Sequence, residues 1–253
     1  MSAANRAWDG SRRRCAIALL AILLLPPASV NAQEADAGDG LFVSIRYPLD
    51  DKEVGRINQV TNQAHKSYRD RLQAAGLGDG AKPLKVVYDF HAEGPVSGSS
   101  RYGNCRELAE YLLSRTEITT IAFVHGELTR HAVLPALACQ ELVMSDDAKI
   151  GDAIRDQQEP LGDDQLLFYR KVAEKRGRSP ALILKMLDKN LEVYQATRNL
   201  GVWFVDGNQQ PEPGLIVNRA VGPMIPKGAT ALFTANEALK YELCKLRDRK
   251  SVV

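Results

Sequence analysis

Apolar residues recur along the chain at two alternating spacings, one typical of strands and one typical of helices. Residues 41–47 form a short apolar run that predicts a strand, and Pro48 ends it. From 54 to 72 the apolar residues recur every three or four positions, which predicts an amphipathic helix. Asp50 precedes that stripe and Glu53 follows three residues later, so we expect a capping box at the helix start.

The alternation continues along the rest of the chain. Further strands are predicted at 85–90, 119–124, 141–144, 215–221 and 230–233, with a hairpin at 191–197 and 202–205. Further helices are predicted from a cap at Asn104 with Glu107, and at 129–139, 163–176, 180–189 and 236–243, while 145–160 is predicted to be irregular. The strand at 119–124 is almost wholly apolar, so we expect burial on both of its faces. Strand–helix alternation of this kind predicts an α/β fold with helices packed on the sheets.

Residues 1–32 have the pattern of an export signal. Three consecutive arginines end at Arg14, an apolar run follows, and Pro26 and Pro27 come next. Small residues at Val30 and Ala32 predict cleavage before Gln33. As a helix the apolar run would span about 16 Å, about half of a bilayer core, which favours a cleaved signal over an uncleaved anchor. We therefore expect an exported protein, periplasmic or extracellular, and the alternative of membrane attachment stays open.

The division of the chain follows from that signal. We expect a signal peptide at 1–32, a flexible leader at 33–40, one domain at 41–245 and a tail at 246–253. The chain has 253 residues and a formal net charge of +2. Residues 1–32 hold four arginines and one aspartate, 4 − 1 = +3, which leaves 2 − 3 = −1 for the rest. A body near neutrality predicts no nucleic-acid partner.

The common catalytic motifs do not occur in the sequence. It has neither a Gly-x-Ser-x-Gly elbow, nor a phosphate-binding Gly-x-x-x-x-Gly-Lys, nor a His-Glu-x-x-His pair. Cys105, Cys139 and Cys244 lack metal-ligand spacing, and we expect buried thiols, with one disulfide plus one thiol as the alternative. The sequence therefore predicts neither a metal site nor a cofactor.

Three histidines mark a candidate groove. His91 and His125 each come just after a predicted strand, at the end where α/β proteins place ligand sites, and His131 follows nearby. A triad of Asp89 and His91 with a serine from the loop is an alternative interpretation. The serines in question are Ser97, Ser99 and Ser100.

A series of motifs follows along 119–245, namely a buried strand, a small-residue helix with Ala136-Leu137-Ala138, a strand ending in Met144, and Ala148-Lys149-Ile150-Gly151. Later segments extend the series at 173–178 (Ala-Glu-Lys-Arg-Gly-Arg), 191–194 and 234–239. Together these motifs resemble those of the Clp-protease/crotonase superfamily, and within it the NfeD-like membrane-associated serine proteases. The resemblance covers about 41–245 and implies a Clp/crotonase-like fold, self-assembly into homo-oligomers and a role in membrane-protein quality control.

The resemblance also implies where the catalytic groups of the family would lie. The nucleophilic serine falls on Arg130 and the general-base lysine falls on Glu159-Pro160, with Pro160 as the base position. The oxyanion loop falls on Glu93 and Gly94. Arginine cannot attack a carbonyl, so covalent acyl transfer is predicted to be lost. Two interpretations of Arg130 stay open: an anion-facing or carboxylate-paired arginine, or a surface residue paired with a neighbour such as Glu127.

The sequence therefore favours an exported, catalytically inactive relative of a serine protease that binds a protein or peptide. A membrane protein is one partner that the resemblance implies. An active serine-type peptidase using Ser97, Ser99 or Ser100 is the first alternative. An acyl-CoA-binding relative of the crotonases is the second.

Overall fold

The computed structural model describes residues 40–77, 82–91, 101–157, 161–199 and 201–248. Within these ranges the chain forms eleven strands and six α-helices. The strands are β1 (Gly40–Ser44), β2 (Lys85–His91), β3 (Thr119–His125), β4 (Glu127–Leu128), β5 (Glu141–Ser145), β6 (Lys149–Gly151), β7 (Val193–Arg198), β8 (Gly201–Asp206), β9 (Ile216–Val217), β10 (Leu232–Thr234) and β11 (Leu246–Asp248). The helices are α1 (Asp51–Ala74), α2 (Tyr102–Ser114), α3 (Val133–Ala138), α4 (Asp163–Lys175), α5 (Pro180–Lys185) and α6 (Ala235–Lys240). Short 3-10 turns occupy Arg130–Ala132 and Arg219–Val221.

Five parallel strands form the main sheet, in the order β1-β2-β3-β5-β11. In β1, β2, β3 and β5 alternate residues, among them Val43, Tyr88 and Val124, are buried in the core that α1, α2 and α3 also enter. Such strands cannot be joined by tight turns, and the helices between them supply the crossovers. The α/β prediction is confirmed.

The prediction that the strand at 119–124 is buried on both faces is wrong. In β3 the burial alternates, with Thr120, Ala122 and Val124 fully buried. Ile121 and Phe123 point to the other face and are only partly buried. An almost wholly apolar sequence therefore does not mean that both faces of this strand are buried.

The cap of α1 is half of the predicted box. Asp50 Oδ1 accepts the backbone N–H of Glu53 at 2.8 Å, as predicted. The Glu53 carboxylate instead accepts the backbone N–H of Arg46 at 2.9 Å and binds the Arg56 guanidinium. It therefore ties the helix to the chain that leaves β1. The predicted cap of α2 is wrong, because the helix begins at Tyr102, before Asn104.

Two arginines close the carboxyl end of α3. Arg178 is buried and donates to the carbonyls of Leu137, Cys139 and Leu243 at 2.6, 3.2 and 3.2 Å. Arg176 donates to the carbonyl of Ala138 at 2.6 Å. Helix ends leave such carbonyls without intrahelical partners. The Arg-Gly-Arg segment of the sequence is thus a cap for a neighbouring helix.

Three short strands differ from the sequence predictions. β6 lies inside the stretch 145–160 that was predicted to be irregular, and with β4 and β10 it forms a second sheet. β9 occupies two residues of the predicted strand 215–221. β11 lies at the start of the predicted tail and pairs with β5. The predicted hairpin is confirmed as β7 and β8, which form a third sheet with β9.

The described cysteines carry no disulfide. Cys105, Cys139 and Cys244 are all buried, as predicted, and are not joined to one another. Burial raises the pKa of the Cys139 thiol to about 12, and burial raises that of Cys244 as well. These two thiols are therefore protonated and unreactive at neutral pH.

Candidate functional site

The carboxyl ends of β2 and β3, together with the turn at Arg130–Ala132, hold most of the residues that the sequence singles out. Ligand sites of α/β proteins lie at this end of the strands. Glu93, Gly94 and Pro160 lie outside the described residues. For His91 the structure describes the backbone, which pairs with His125 in the β2–β3 register.

Asp89 and His125 form a carboxylate–imidazole pair across β2 and β3. The Asp89 carboxylate contacts Nε2 of His125. The Asp89 side chain is 12% exposed, whereas the His125 side chain is 28% exposed. The ring of Phe123 stacks on that of His125, with centroids 5.0 Å apart. The pair therefore holds an oriented imidazole at the rim of the sheet. The sequence suggested His91 as the partner of Asp89, and the pairing with His125 was not predicted.

His131 belongs to a different environment from His125. Its side chain is buried, with Nδ1 at 3.0 Å from the hydroxyl of Tyr169, and the ring of Tyr102 meets it edge-on. Burial lowers the pKa of His131 and raises that of Tyr169 well above its usual value. The Nδ1 atom of a neutral His131 can then accept a hydrogen bond from the hydroxyl of Tyr169. The predicted groove of three histidines is therefore wrong for His131, which packs inside the protein.

Arg130 is paired with a carboxylate, and the partner is Asp156. The Arg130 guanidinium binds the Asp156 carboxylate, and the backbone N–H of Arg130 donates to the carbonyl of Asp152 at 3.2 Å. The Arg130 side chain is 22% exposed and that of Asp156 is 69% exposed. Arg130 is therefore paired within its own chain, as the second interpretation expected, but with Asp156 and not with Glu127.

Glu127 belongs to a neighbouring ion-pair chain. Its carboxylate binds Arg155 and lies 3.8 Å from Lys149 Nζ. Arg155 also binds Asp152 at 2.7 Å, and Asp152 accepts the hydroxyl of Thr230 at 2.5 Å. These contacts connect β4, β6 and the chain before β10. They fix the loop that presents Asp156 to Arg130.

Three non-glycine residues of this region have left-handed backbone conformations. They are Arg130 at φ 56°, Asp152 at φ 44° and Asp156 at φ 63°. Such conformations cost on the order of 1–3 kcal/mol each and persist only where surrounding contacts hold them. The ion pairs of Arg130 and Asp152 supply those contacts. The sequence carried no signal for Asp152 or Asp156, because both lie in the stretch predicted to be irregular.

The hydroxyl groups of several described serines donate hydrogen bonds to acceptors of the same chain. Ser145 donates to Asp147 at 2.7 Å, while Ser114 and Ser179 donate to backbone carbonyls. Lys171 lies within α4, downstream of the base position. Within the described residues no group of three or more histidine, cysteine or acidic side chains is arranged to hold a metal. None of the described helices combines the length and apolar content required to span a membrane.

No protein-family model matches the chain, and no curated protein matches it in sequence. Solved structures similar to it include a mutant of the 1510-N membrane-bound stomatin-specific protease, with 11% identity, TM-score 0.44, and 84% of this chain and 78% of that chain covered. Another is an enoyl-CoA hydratase/isomerase family protein from Silicibacter pomeroyi, with 13% identity, TM-score 0.45, and coverages of 84% and 74%. An enoyl-CoA hydratase from Thermoplasma volcanium shows 10% identity, TM-score 0.45, and coverages of 83% and 68%. Likenesses at this level carry no argument about activity. The chain is an α/β protein with a parallel sheet, and its structural neighbours are of the protease and enoyl-CoA hydratase kinds.

Proposed function

We propose that this chain is an exported Clp/crotonase-type domain that has lost serine–lysine acyl transfer and binds a protein or peptide. One observation carries the proposal: Arg130, bound to Asp156, occupies the position that the motif spacing assigns to the nucleophile. A guanidinium stays protonated and cannot attack a carbonyl. The base position falls on Glu159-Pro160, where a proline side chain has no group that accepts a proton.

The backbone around Arg130 supports the same conclusion. A serine protease needs N–H groups aimed at the developing oxyanion. Here the N–H of Arg130 donates to the Asp152 carbonyl at 3.2 Å and is therefore occupied within the chain. Pro95, which follows the predicted oxyanion loop, has no N–H to donate. Substrate binding and chemistry would have to use other groups.

The partner class follows from the exposed ion pair. Asp156 is largely exposed, and its carboxylate is bound by a guanidinium that is mostly covered. A carboxylate from another chain, such as a free peptide C-terminus, has the same chemistry and can replace Asp156 on Arg130. Because exposed ion pairs contribute about 0–1 kcal/mol, the exchange costs the protein little. Membrane-protein quality control is the setting that the motif resemblance implies.

The test of peptide binding compares two kinds of peptide on the full chain. A library with free C-terminal carboxylates should bind, and the same library with C-terminal amides should bind more weakly. Arg130→Glu should remove the difference, whereas Arg69→Glu, an exposed arginine on α1, should keep it. Equal binding of acids and amides by the unchanged protein would contradict the proposal.

The test of lost acyl transfer uses a fluorophosphonate probe and casein turnover. We expect neither labelling nor cleavage above that of a heat-denatured sample. Labelling that disappears on Ser→Ala changes at Ser97, Ser99 or Ser100 would instead establish an active hydrolase.

The Asp89–His125 pair favours that hydrolase as the second candidate function. In a catalytic triad a carboxylate orients an imidazole, and the imidazole takes up the proton of the nucleophile. Its nucleophile would be one of the three loop serines, which lie outside the described residues. In that case His125→Gln should abolish fluorophosphonate labelling, and His65→Gln should leave it intact. No contact of the described residues favours the acyl-CoA alternative.

A further inference from the structure

A cavity lies at the amino ends of β5 and β11, at the end of the sheet away from the candidate functional site. Gln140 and Lys245, which directly precede these two strands, line it. Arg176 and Arg178, which follow α4, line it as well. Its volume is about 400 Å³, within the range of small-molecule sites. We call this cavity the arginine pocket.

The two guanidinium groups of the arginine pocket have unused N–H donors. Arg178 uses Nε and Nη1 for the carbonyls that it caps, and Arg176 uses Nε and Nη2. Within the described residues, Nη2 of Arg178 and Nη1 of Arg176 have no acceptor, and neither arginine has a carboxylate partner. Arg178 is 7% exposed, so the pocket is where its unused nitrogen can be reached. The pocket therefore offers two cationic donors to a ligand.

The arginine pocket has an excess of positive charge. Burial lowers the pKa of Arg178 to about 10, and the positive charge of Arg176 acts in the same direction, so the two guanidiniums repel each other. Lys245 adds a third cation, 3.5 Å from the Glu141 carboxylate. Among the described lining residues Glu242 carries the only carboxylate. An anion bound between the guanidiniums would offset their repulsion.

The directions of these groups favour a tetrahedral oxyanion over a flat carboxylate. The arginines come from the chain after α4, whereas Lys245 and Gln140 come from the chain before two different strands. Gln140 uses Oε1 to accept the N–H of Thr120 at 2.9 Å, which leaves its NH₂ group as a donor. A phosphate accepts hydrogen bonds from several directions, and arginine binds it through a planar fork. Leu239 and Leu243 also line the pocket, so the ligand can carry an apolar group beside the phosphate.

We propose that the arginine pocket binds a small phosphate monoester. Arg176 and Arg178 contact the phosphate, which carries a charge of about −1.5 to −2 at neutral pH and so balances two guanidiniums. The two leucines contact the group that the phosphate esterifies. The inference goes beyond the proposed function, because it involves neither Arg130 nor a peptide and lies at the other end of the sheet.

The test is isothermal titration calorimetry of the full chain with phenyl phosphate. We expect a dissociation constant on the order of 0.1 mM for a ligand of this size. Inorganic phosphate and benzoate should each bind more weakly, because the first lacks the apolar group and the second lacks the tetrahedral oxyanion. Arg176→Gln should weaken phenyl phosphate binding about tenfold, the order of one charge-assisted hydrogen bond. Lys175→Gln changes the adjacent, exposed residue, which does not line the pocket, and should leave binding unchanged.

A second variant separates ligand binding from support of the fold. Arg176 also caps α3, so its replacement can weaken binding through a loss of stability. Glu242→Gln instead removes the carboxylate from an exposed lining residue and should tighten phenyl phosphate binding, by up to about fivefold. Damage to the fold does not increase affinity. Thermal unfolding without ligand checks that each variant is folded.

Three results would overturn the proposal. The first is no binding of phenyl phosphate at about 5 mM, well above the expected dissociation constant. The second is binding that Arg176→Gln and Glu242→Gln both leave unchanged. The third is inorganic phosphate or benzoate bound as tightly as phenyl phosphate. None of these results bears on peptide binding at Arg130, so the two proposals fail separately.

Discussion

At the scale of single residues, the buried cation Arg178 stabilises the fold without a carboxylate partner. Arg178 has three carbonyl acceptors and no acidic one among its contacts, and burial lowers its pKa to about 10. It therefore remains charged at neutral pH. A guanidinium suits this role because its planar fork reaches several acceptors in fixed directions.

Arg178→Met should strongly destabilise the protein. The change leaves three carbonyls without a donor, and each buried group of this kind costs about 1–3 kcal/mol, so the free energy of unfolding should fall by at least about 3 kcal/mol. Arg71→Met, on the exposed surface of α1, should change it by less than about 0.5 kcal/mol. Urea denaturation measures both. A loss below about 1 kcal/mol for Arg178→Met would show that water replaces the guanidinium.

His131 should make stability depend on pH. Burial lowers its pKa in the folded protein, so below the unfolded value of about 6.5 the unfolded chain binds the proton more readily. Its contribution is complete above that value and is lost as the pH falls toward the folded pKa, by at most about 1.4 kcal/mol per pH unit. Urea denaturation between pH 8 and pH 5 should show this slope, and His131→Gln should reduce it. If His131→Gln leaves the dependence of stability on pH unchanged, other titratable groups cause that dependence.

The residue-scale predictions from sequence succeed where burial alone decides. Cys105 and Cys139 lie at apolar positions of predicted helices, and the structure buries them. The partner of Arg130 could not be predicted, because Asp156 reaches it only through a loop whose shape depends on the Arg155 ion pairs. The partnership of Asp89 with His125 was within reach, since both residues stand at the carboxyl ends of adjacent predicted strands.

At the scale of elements, the length of a pattern decides how well the sequence predicts it. The stripe of α1 runs over many turns, and the helix is found where the stripe places it. β6 has three residues and includes Gly151, too few for an alternating pattern to be recognised. β11 is similarly short, and pairing with β5 rather than local preference makes it a strand.

The start of α1 offers a test at this scale. Asp50→Ala removes the side-chain acceptor of the Glu53 N–H and should lower the free energy of unfolding by about 1 kcal/mol. Asp70→Ala lies in the last turns of the same helix, on its exposed side, and should have little effect or stabilise slightly, because it removes a negative charge near the carboxyl end. Thermal denaturation compares the two. If both variants lose the same free energy of unfolding, the cause is the removal of a negative charge and not the loss of the cap.

At the scale of the whole molecule, the α/β class was predictable because strand and helix periods alternate along most of the chain. The incomplete burial of one face of β3 was not, because a strand that is apolar throughout has the same sequence whether one face or both faces are covered. The arrangement of Ile121 and Phe123 on the less buried side shows the difference.

Export is a prediction that rests on residues 1–32. Cleavage before Gln33 should give a mature protein recovered outside the cytoplasm, with Gln33 as its first residue in N-terminal sequencing. Ala32→Phe should block processing because the position before the cut requires a small side chain, whereas Ala35→Phe beyond the cut should be processed normally. A full-length cytoplasmic product from the unchanged chain would contradict both the signal and the exported setting.

The two edges of the main sheet come from opposite ends of the described chain. β1 supplies one edge and β11, at residues 246–248, supplies the other. A ribosome delivers the chain from its amino end, so β5 has no outer neighbour until residues 246–248 have emerged. During that interval β5 presents an unpaired edge to the crowded surroundings, and such edges are templates for aggregation. A stalling sequence or a bulky tag placed directly after residue 248 should delay the pairing of β11 with β5 and so prolong the exposure of that edge. The same addition before Gly40 should leave this pairing unaffected.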